Sequence, residues 1–138
     1  WHGRGQLVGY PIVRLAEPID VVRYVRELEE ALIRTCADLG LAVVRVEGRS
    51  GVWFAGRDGG HDRKVAAIGV RVERGVTMHG FAVNCDNTLA GFRGIIPCGI
   101  TDAGVTTVSE IVGDDVAPRD ILDTVTRAFE AEYAGVGA

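Results

Sequence analysis

The chain has 138 residues, of which 47% are apolar and 25% charged, and it carries a net charge of −4. That is one domain's length, with the composition of an ordinary globular protein rather than a disordered one. No apolar run approaches the ~18 residues of a membrane span, and the acidic balance, without basic runs and interleaved aromatics, argues against nucleic-acid binding.

Trp1–Gln6 reads as a glycine-rich loop and Leu7–Val13 as a strand interrupted at Pro11. Gly3 and Gly5 let backbone approach a ligand, but their spacing is neither G-x-G-x-x-G nor a Walker loop. From Asp20 to Leu39 the apolar residues Val22, Val25, Leu28, Leu32, Cys36 and Leu39 recur at three and four. This predicts an amphipathic helix capped by Asp20 and stopped at Gly40. Leu41–Val46 and Gly51–Ala55 read as strands, followed by a polar loop over 56–62 in which His61 is a solvated surface residue.

Lys64–Val72 and Val76–Asn84 form the next strand pair, turning at 73–75. Alternation in the second strand puts Thr77, His79, Phe81 and Val83 on one face and Met78, Gly80 and Ala82 on the other. Residues 85–96 are loop-like, with Leu89, Phe92, Ile95 and Ile96 available to pin them to the core. Thr106–Val112 predicts a short helix. Pro118 opens the last one, Pro118–Tyr133, with Ile121, Leu122, Val125, Phe129 and Tyr133 on its inner face. Hairpins flanked by helices, without repeats or linkers, predict a single α+β domain built on a largely antiparallel, mixed sheet.

Three cysteines, Cys36, Cys85 and Cys98, are too few and too scattered for a disulfide framework or a zinc site, and no CxxC pair occurs; a reducing, cytoplasmic compartment is the expectation. Cys36 falls on the helix's apolar stripe and reads as a buried structural thiol. Cys98 is held between Pro97 and Gly99, where a ligand could reach the sulfur and backbone amides could face a developing oxyanion. The plain alternative is a small hydrophobe tucked under a loop. Lys64 is the only lysine against fourteen arginines. An amine can lose and regain a proton where a guanidinium cannot. A strand-edge lysine is otherwise a solvated charge that discourages edge pairing. His79 keeps a Cys-His dyad open beside a Cys-Lys one. Together these residues hold the parts of a thiol nucleophile, an amine able to move its proton and a polar site wall, and the pattern by itself leaves that reading level with the structural one.

Four segments carry a family resemblance. They are Trp1-His2-Gly3-x-Gly5-Gln6-Leu7-Val8-x-Tyr10-Pro11, Lys64-Val65-Ala66-Ala67-Ile68-Gly69, His79-Gly80-Phe81-Ala82-x-Asn84, and Leu89-x-x-Phe92-x-x-Ile95-x-Pro97-Cys98-Gly99. In that order they resemble the lipoyl(octanoyl) transferases, the lipoate-protein ligase B family. The resemblance implies the fold of the biotin and lipoate ligases and a catalytic pair on Cys98 and Lys64. It implies acyl-site residues at His2, Gly3, Ala66, Ala67, Ile68, Gly69, His79, Gly80, Phe81 and Gly99, with no cofactor and no metal.

The implied reaction moves octanoate from octanoyl-acyl carrier protein to a lysine of lipoyl domains, those of 2-oxoacid dehydrogenase complexes and the glycine cleavage H protein, with no nucleic-acid or membrane partner. The alternatives are an ATP-dependent lipoate or biotin ligase of the same fold, or a non-catalytic acyl- or lipoyl-domain-binding module. Arg4 stands where the family usually has proline and Thr88 where it usually has aspartate. The family's arginine-glycine-glycine segment is expected upstream of Trp1, so the chain is expected to be the later part of a catalytic domain.

Overall fold

The structure, a computed structural model, describes residues 3–56, 61–87 and 104–133. Within them the order is β1 (Gln6–Gly9), α1 (Val21–Asp38), β2 (Val44–Val46), β3 (Arg49–Phe54), β4 (Arg63–Glu73), β5 (Val76–Asn84), β6 (Gly104–Val105), α2 (Val108–Val112) and α3 (Pro118–Tyr133). The strands form one sheet in the order β1-β5-β4-β3-β2, and β6 also pairs with β4. All pairings are antiparallel except β4–β6. This is the α+β architecture expected.

Local chemistry sets the element ends. Asp20 accepts from the Arg23 amide at 3.0 Å, capping α1. Beyond the helix Gly40 takes φ +85°, and the Leu41 amide turns back to the Cys36 carbonyl at 2.8 Å. The β4–β5 hairpin turns through Arg74 and Gly75, both at positive φ, as the right-handed twist of a two-residue loop favours. Pro11 has no amide to donate, and β1 ends at Gly9.

The core lies between the helices and one face of the sheet. Leu32 and Cys36 of α1, Val108 of α2, and Ile121 and Val125 of α3 pack with Val52, Val65, Ala66, Phe81 and Val83. Phe81 stacks on Phe129 with ring centroids 5.0 Å apart. A Cβ on Gly9 would overlap the Phe81 ring, so glycine there lets the aromatic lie across β1.

Several expectations need correction. Val22 is 66% exposed. Steps of three lag a 3.6-residue turn by about 60° each, so Val22 has drifted about 120° from Leu28. Leu122 is 50% exposed rather than inward. It lies about 90° from the middle of the stripe made by Ile121, Val125 and Ala128; Phe129 is similarly offset but is long enough to reach Phe81. Leu41–Val43 precede β2 rather than belonging to it, although Leu41 and Val43 are buried. His79 breaks the alternation: at φ +64° it is exposed, while Thr77, Phe81 and Val83 are buried. Leu89, Phe92, Ile95 and Ile96 and the Tyr133 side chain lie outside the described residues.

Candidate active site

Three of the segments that carry the resemblance fall, from Gly3 onward, within the described residues. They lie side by side on β1, β5 and β4, whose paired ends at Gln6, Asn84 and Lys64 share one end of the sheet. Lys64 stands there, half-buried. It pairs with Trp53 of β3 on one side and with Val105 of β6 on the other. Its carbonyl accepts from the Thr106 amide at 3.0 Å. It is therefore an interior position and not the strand edge that its place in sequence suggested. The neighbour that makes it interior arrives some forty residues later, in parallel, and short-range alternation cannot show that.

A bulge turns Lys64 away from the core. Val52 pairs with Ala66 and Trp53 with Lys64, leaving Val65 as the extra residue. Val65 and Ala66 enter the core beside the helices. Lys64 and Trp53 take the opposite face, where the Lys64 Nζ lies 4.9 Å from the Trp53 ring centroid.

Side-chain amides join the first loop to this end of the sheet. The Gly3 amide donates to Gln6 Oε1 at 2.9 Å, and Gln6 Nε2 donates to Asn84 Oδ1 at 2.8 Å. Asn84 Nδ2 then donates to the Thr106 carbonyl at 3.2 Å. Thr106 Oγ1 in turn donates to Glu110 at 2.8 Å. Gly5, at φ +91°, accepts at its carbonyl from the Cys85 and Asp86 amides, and a Cβ there would come within 2.6 Å of the Asn87 nitrogen. Gln6, Asn84, Asn87 and Thr106 had not been singled out as site residues. Gln6 and Asn84 stand in the quoted motifs and could have been. Nothing in the sequence marked Trp53.

The other expected residues divide between the two faces. Ala67 pairs with Ala82, and Gly69 with Gly80, on the face away from the helices. Val8 continues that row through its pairing with Ala82. Ala67 and Gly69 are exposed, and a Cβ on Gly69 would meet nothing within 4 Å. Gly80 is buried, and a Cβ there would overlap the Gly9 carbonyl oxygen. Ala66, Ile68 and Phe81 face the helix-side core. His2, Cys98 and Gly99 lie outside the described residues.

Cys36 and Cys85 are buried, and desolvation pushes both thiols up to about 12. For Cys85 the Leu7 backbone hydrogen bond lowers the value against burial, and nearby Asp86 and Asp120 raise it further. Both remain thiols at neutral pH. Among the described residues, no three of His, Cys, Asp and Glu are grouped to hold a metal ion.

The lipoyl protein ligase A/B catalytic domain matches residues 1–130. The chain belongs to that family. It is 60% identical to an octanoyltransferase of Rhodococcus jostii over 139 aligned positions, which take in 98% of this chain and 54% of the relative. It is 63% identical to one of Mycolicibacterium paratuberculosis, covering 99% of this chain and 58% of the relative. The chain thus spans little more than half the length of these relatives. Among solved structures, the bipartite lipoate protein ligase of Thermoplasma acidophilum superposes with a TM-score of 0.72 at 18% identity, over 94% of this chain and 52% of that one. The biotin protein ligase of Aquifex aeolicus gives 0.70 at 17%, over 94% and 53%. These two likenesses establish the ligase-like fold of this lipoyl protein ligase A/B domain.

Proposed function

We propose that the protein is an octanoyltransferase that moves octanoate from octanoyl-acyl carrier protein to a lysine of a lipoyl domain through a thioester on Cys98. The observation that carries this reading is identity of about 60% with octanoyltransferases across nearly the whole chain. Two features of the fold support it. Lys64 occupies an interior, half-buried position on the face away from the helices. The other two thiols are buried and held in their neutral form.

In the proposed reaction the Cys98 thiolate attacks the octanoyl thioester carbonyl. The carbonyl–sulfur bond to phosphopantetheine breaks, and the departing sulfur takes a proton from the Lys64 ammonium. An acceptor lysine amine then attacks the octanoyl-enzyme and passes a proton to the Lys64 amine, while the Cys98 thiolate leaves beside the restored ammonium. A thioester is already activated toward an amine, so the sequence of steps consumes no ATP.

The row of Val8, Ala82, Ala67 and Gly69 is the proposed floor for the octanoyl chain, with small side chains leaving room above the sheet. Ala66, Ile68 and Phe81 support that floor from the core side. His2, Gly3, His79, Gly80 and Gly99 are its proposed borders. The proposed acceptors are the lipoyl domains of 2-oxoacid dehydrogenase complexes and the glycine cleavage H protein, in the cytoplasm. No helix among the described residues is long and apolar enough to cross a membrane.

Incubation with octanoyl-acyl carrier protein, followed by intact-mass measurement, tests the reading. Octanoyl-enzyme formed without ATP, and discharged by a lipoyl domain, is the expected result. Product that appears only with ATP would instead mark a ligase, and binding without any acyl transfer a non-catalytic module.

A further inference from the structure

Trp53 is 1% exposed and sits directly across from Lys64 in the β3–β4 ladder. Its indole Nε1 is buried and finds no hydrogen-bond partner among the described residues. A buried indole usually satisfies its N–H, so hydrogen bonding does not account for this ring's place. Its ring does have cationic partners: the Arg49 guanidinium stands 5.7 Å from the centroid, and the Lys64 ammonium lies nearer, at 4.9 Å. That is within the reach of a cation–π contact, and a partly desolvated site strengthens such contacts.

The backbone beneath is shaped for the same contact. Gly51 takes φ +113°, and a Cβ there would lie 2.7 Å from the Ala66 carbonyl oxygen and 3.3 Å from Lys64 Cε. Absence of a side chain at 51 thus leaves the lane along which the lysine stem lies. The Gly51 amide donates to Glu29 Oε2 at 3.1 Å. Glu29 is buried on α1 and is also paired with Arg45 Nε at 3.3 Å. Helix, glycine and ring together fix where the amine stands.

We propose that Trp53 is the positioning residue of Lys64, its indole face being the platform that holds the amine in place and favours the charge that appears when the amine takes up a proton. This rests on the reading of Lys64 as the proton-transfer group of an octanoyltransferase. The ring touches no reacting atom. It acts through Lys64, by stabilising the ammonium formed as the acceptor amine gives up its proton in the second half-reaction.

The test has a structural arm and a kinetic arm. Because Lys64 is the only lysine in the chain, 13C-lysine labelling yields one Cε–Hε resonance, assigned by its disappearance in Lys64→Arg. Ring current from the indole should move it upfield, and Trp53→Leu should return it to the free-lysine position. Replacement of a buried tryptophan risks the fold, so the kinetic arm uses fluorinated tryptophans. These keep the ring's shape while draining its face of negative charge, with a Trp1→Phe chain as control for the other tryptophan. The octanoyl-transfer kcat should fall stepwise with fluorine number, by about 2- to 30-fold in all, with an unchanged KM for the lipoyl domain. A purely structural tryptophan would not produce that graded response. An unshifted Lys64 resonance, or a kcat indifferent to fluorination, overturns the inference and leaves octanoyl transfer standing. An unmodified chain that makes no octanoyl product sinks the transferase reading, and Trp53's assigned role falls with it.

Discussion

Glu29, on a helix, accepts the amide hydrogen of Gly51, on a strand, at 3.1 Å. Three residues of β2, Val44–Val46, run against five of β3, Arg49–Trp53, so the strand at Gly51 departs from its regular ladder. The carboxylate supplies the acceptor that the neighbouring strand does not. Glu29→Ala should therefore strand the Gly51 amide and leave Arg45 held only by Glu30 and the Arg26 carbonyl, lowering stability by about 1–3 kcal/mol in urea unfolding at neutral pH. Glu29→Gln keeps an acceptor for the amide and should cost less. Equal midpoints for Glu29→Ala and the parent chain would mean that water serves Gly51 as well.

The thiols should separate cleanly. Alkylation at neutral pH is expected to modify Cys98 and spare Cys36 and Cys85, whose burial pushes them up to about 12. Peptide mapping after a short pulse of iodoacetamide would read this directly, and early labelling of Cys85 would identify the wrong nucleophile here. The same raised values carry a stability consequence. Unfolded thiols ionise near 9.0 while the folded ones hold their protons to about 12. Their contribution is whole below pH 9 and drains away as pH climbs toward 12. Cys85→Ala should flatten that alkaline decline in thermal melts.

Lys64→Arg keeps a cation at the site but not a proton acceptor. Octanoyl-Cys98 should still form, because the pantetheine sulfur can leave as a thiolate beside the guanidinium and take its proton from water. Discharge to a lipoyl domain needs a base for the attacking amine and should slow by roughly 10²–10⁴-fold. Single-turnover measurements would show the acyl-enzyme accumulating. Discharge at the parent rate would reduce Lys64 to a source of charge and direct attention to His79.

Gly80 and Gly69 face each other across the β4–β5 ladder yet should respond oppositely to an added methyl. Gly80→Ala would press on the Gly9 carbonyl and on Pro11, with an expected loss of about 1–3 kcal/mol. Gly69→Ala meets nothing within 4 Å and should leave stability within about 0.5 kcal/mol. If the octanoyl chain lies along that floor, Gly69→Ala should instead shift preference toward shorter acyl donors. Unaltered selectivity across a C4–C10 series would place the chain elsewhere.

Much of this arrangement was legible in the residues, for identifiable reasons. Asp20 and Gly40 announced the ends of α1 because capping is a local matter of one side chain and one left-handed residue. Arg74-Gly75 announced a hairpin in the same way. What escaped was tertiary. Lys64 looked like an edge because β6 joins from far along the chain. His79 broke the alternation through a single positive φ that no residue pattern encodes. Trp53 became part of the candidate site through register, since only the bulge at Val65 sets it opposite Lys64 rather than one residue away.

The brevity and irregularity of β2 bear on how these molecules behave at high concentration. An outermost strand recruits a strand from another molecule when it offers a long, flat row of unpaired amides and carbonyls. β2 offers three residues, kinked against its neighbour, with the Arg45 guanidinium in the middle engaged by Glu29 and Glu30. A second chain docking there would gain few backbone bonds and would meet a fixed, already neutralised charge. Among the described residues β2 is the last strand on this flank, and its shortness, kink and fixed charge protect the sheet there against edge-to-edge growth under crowding.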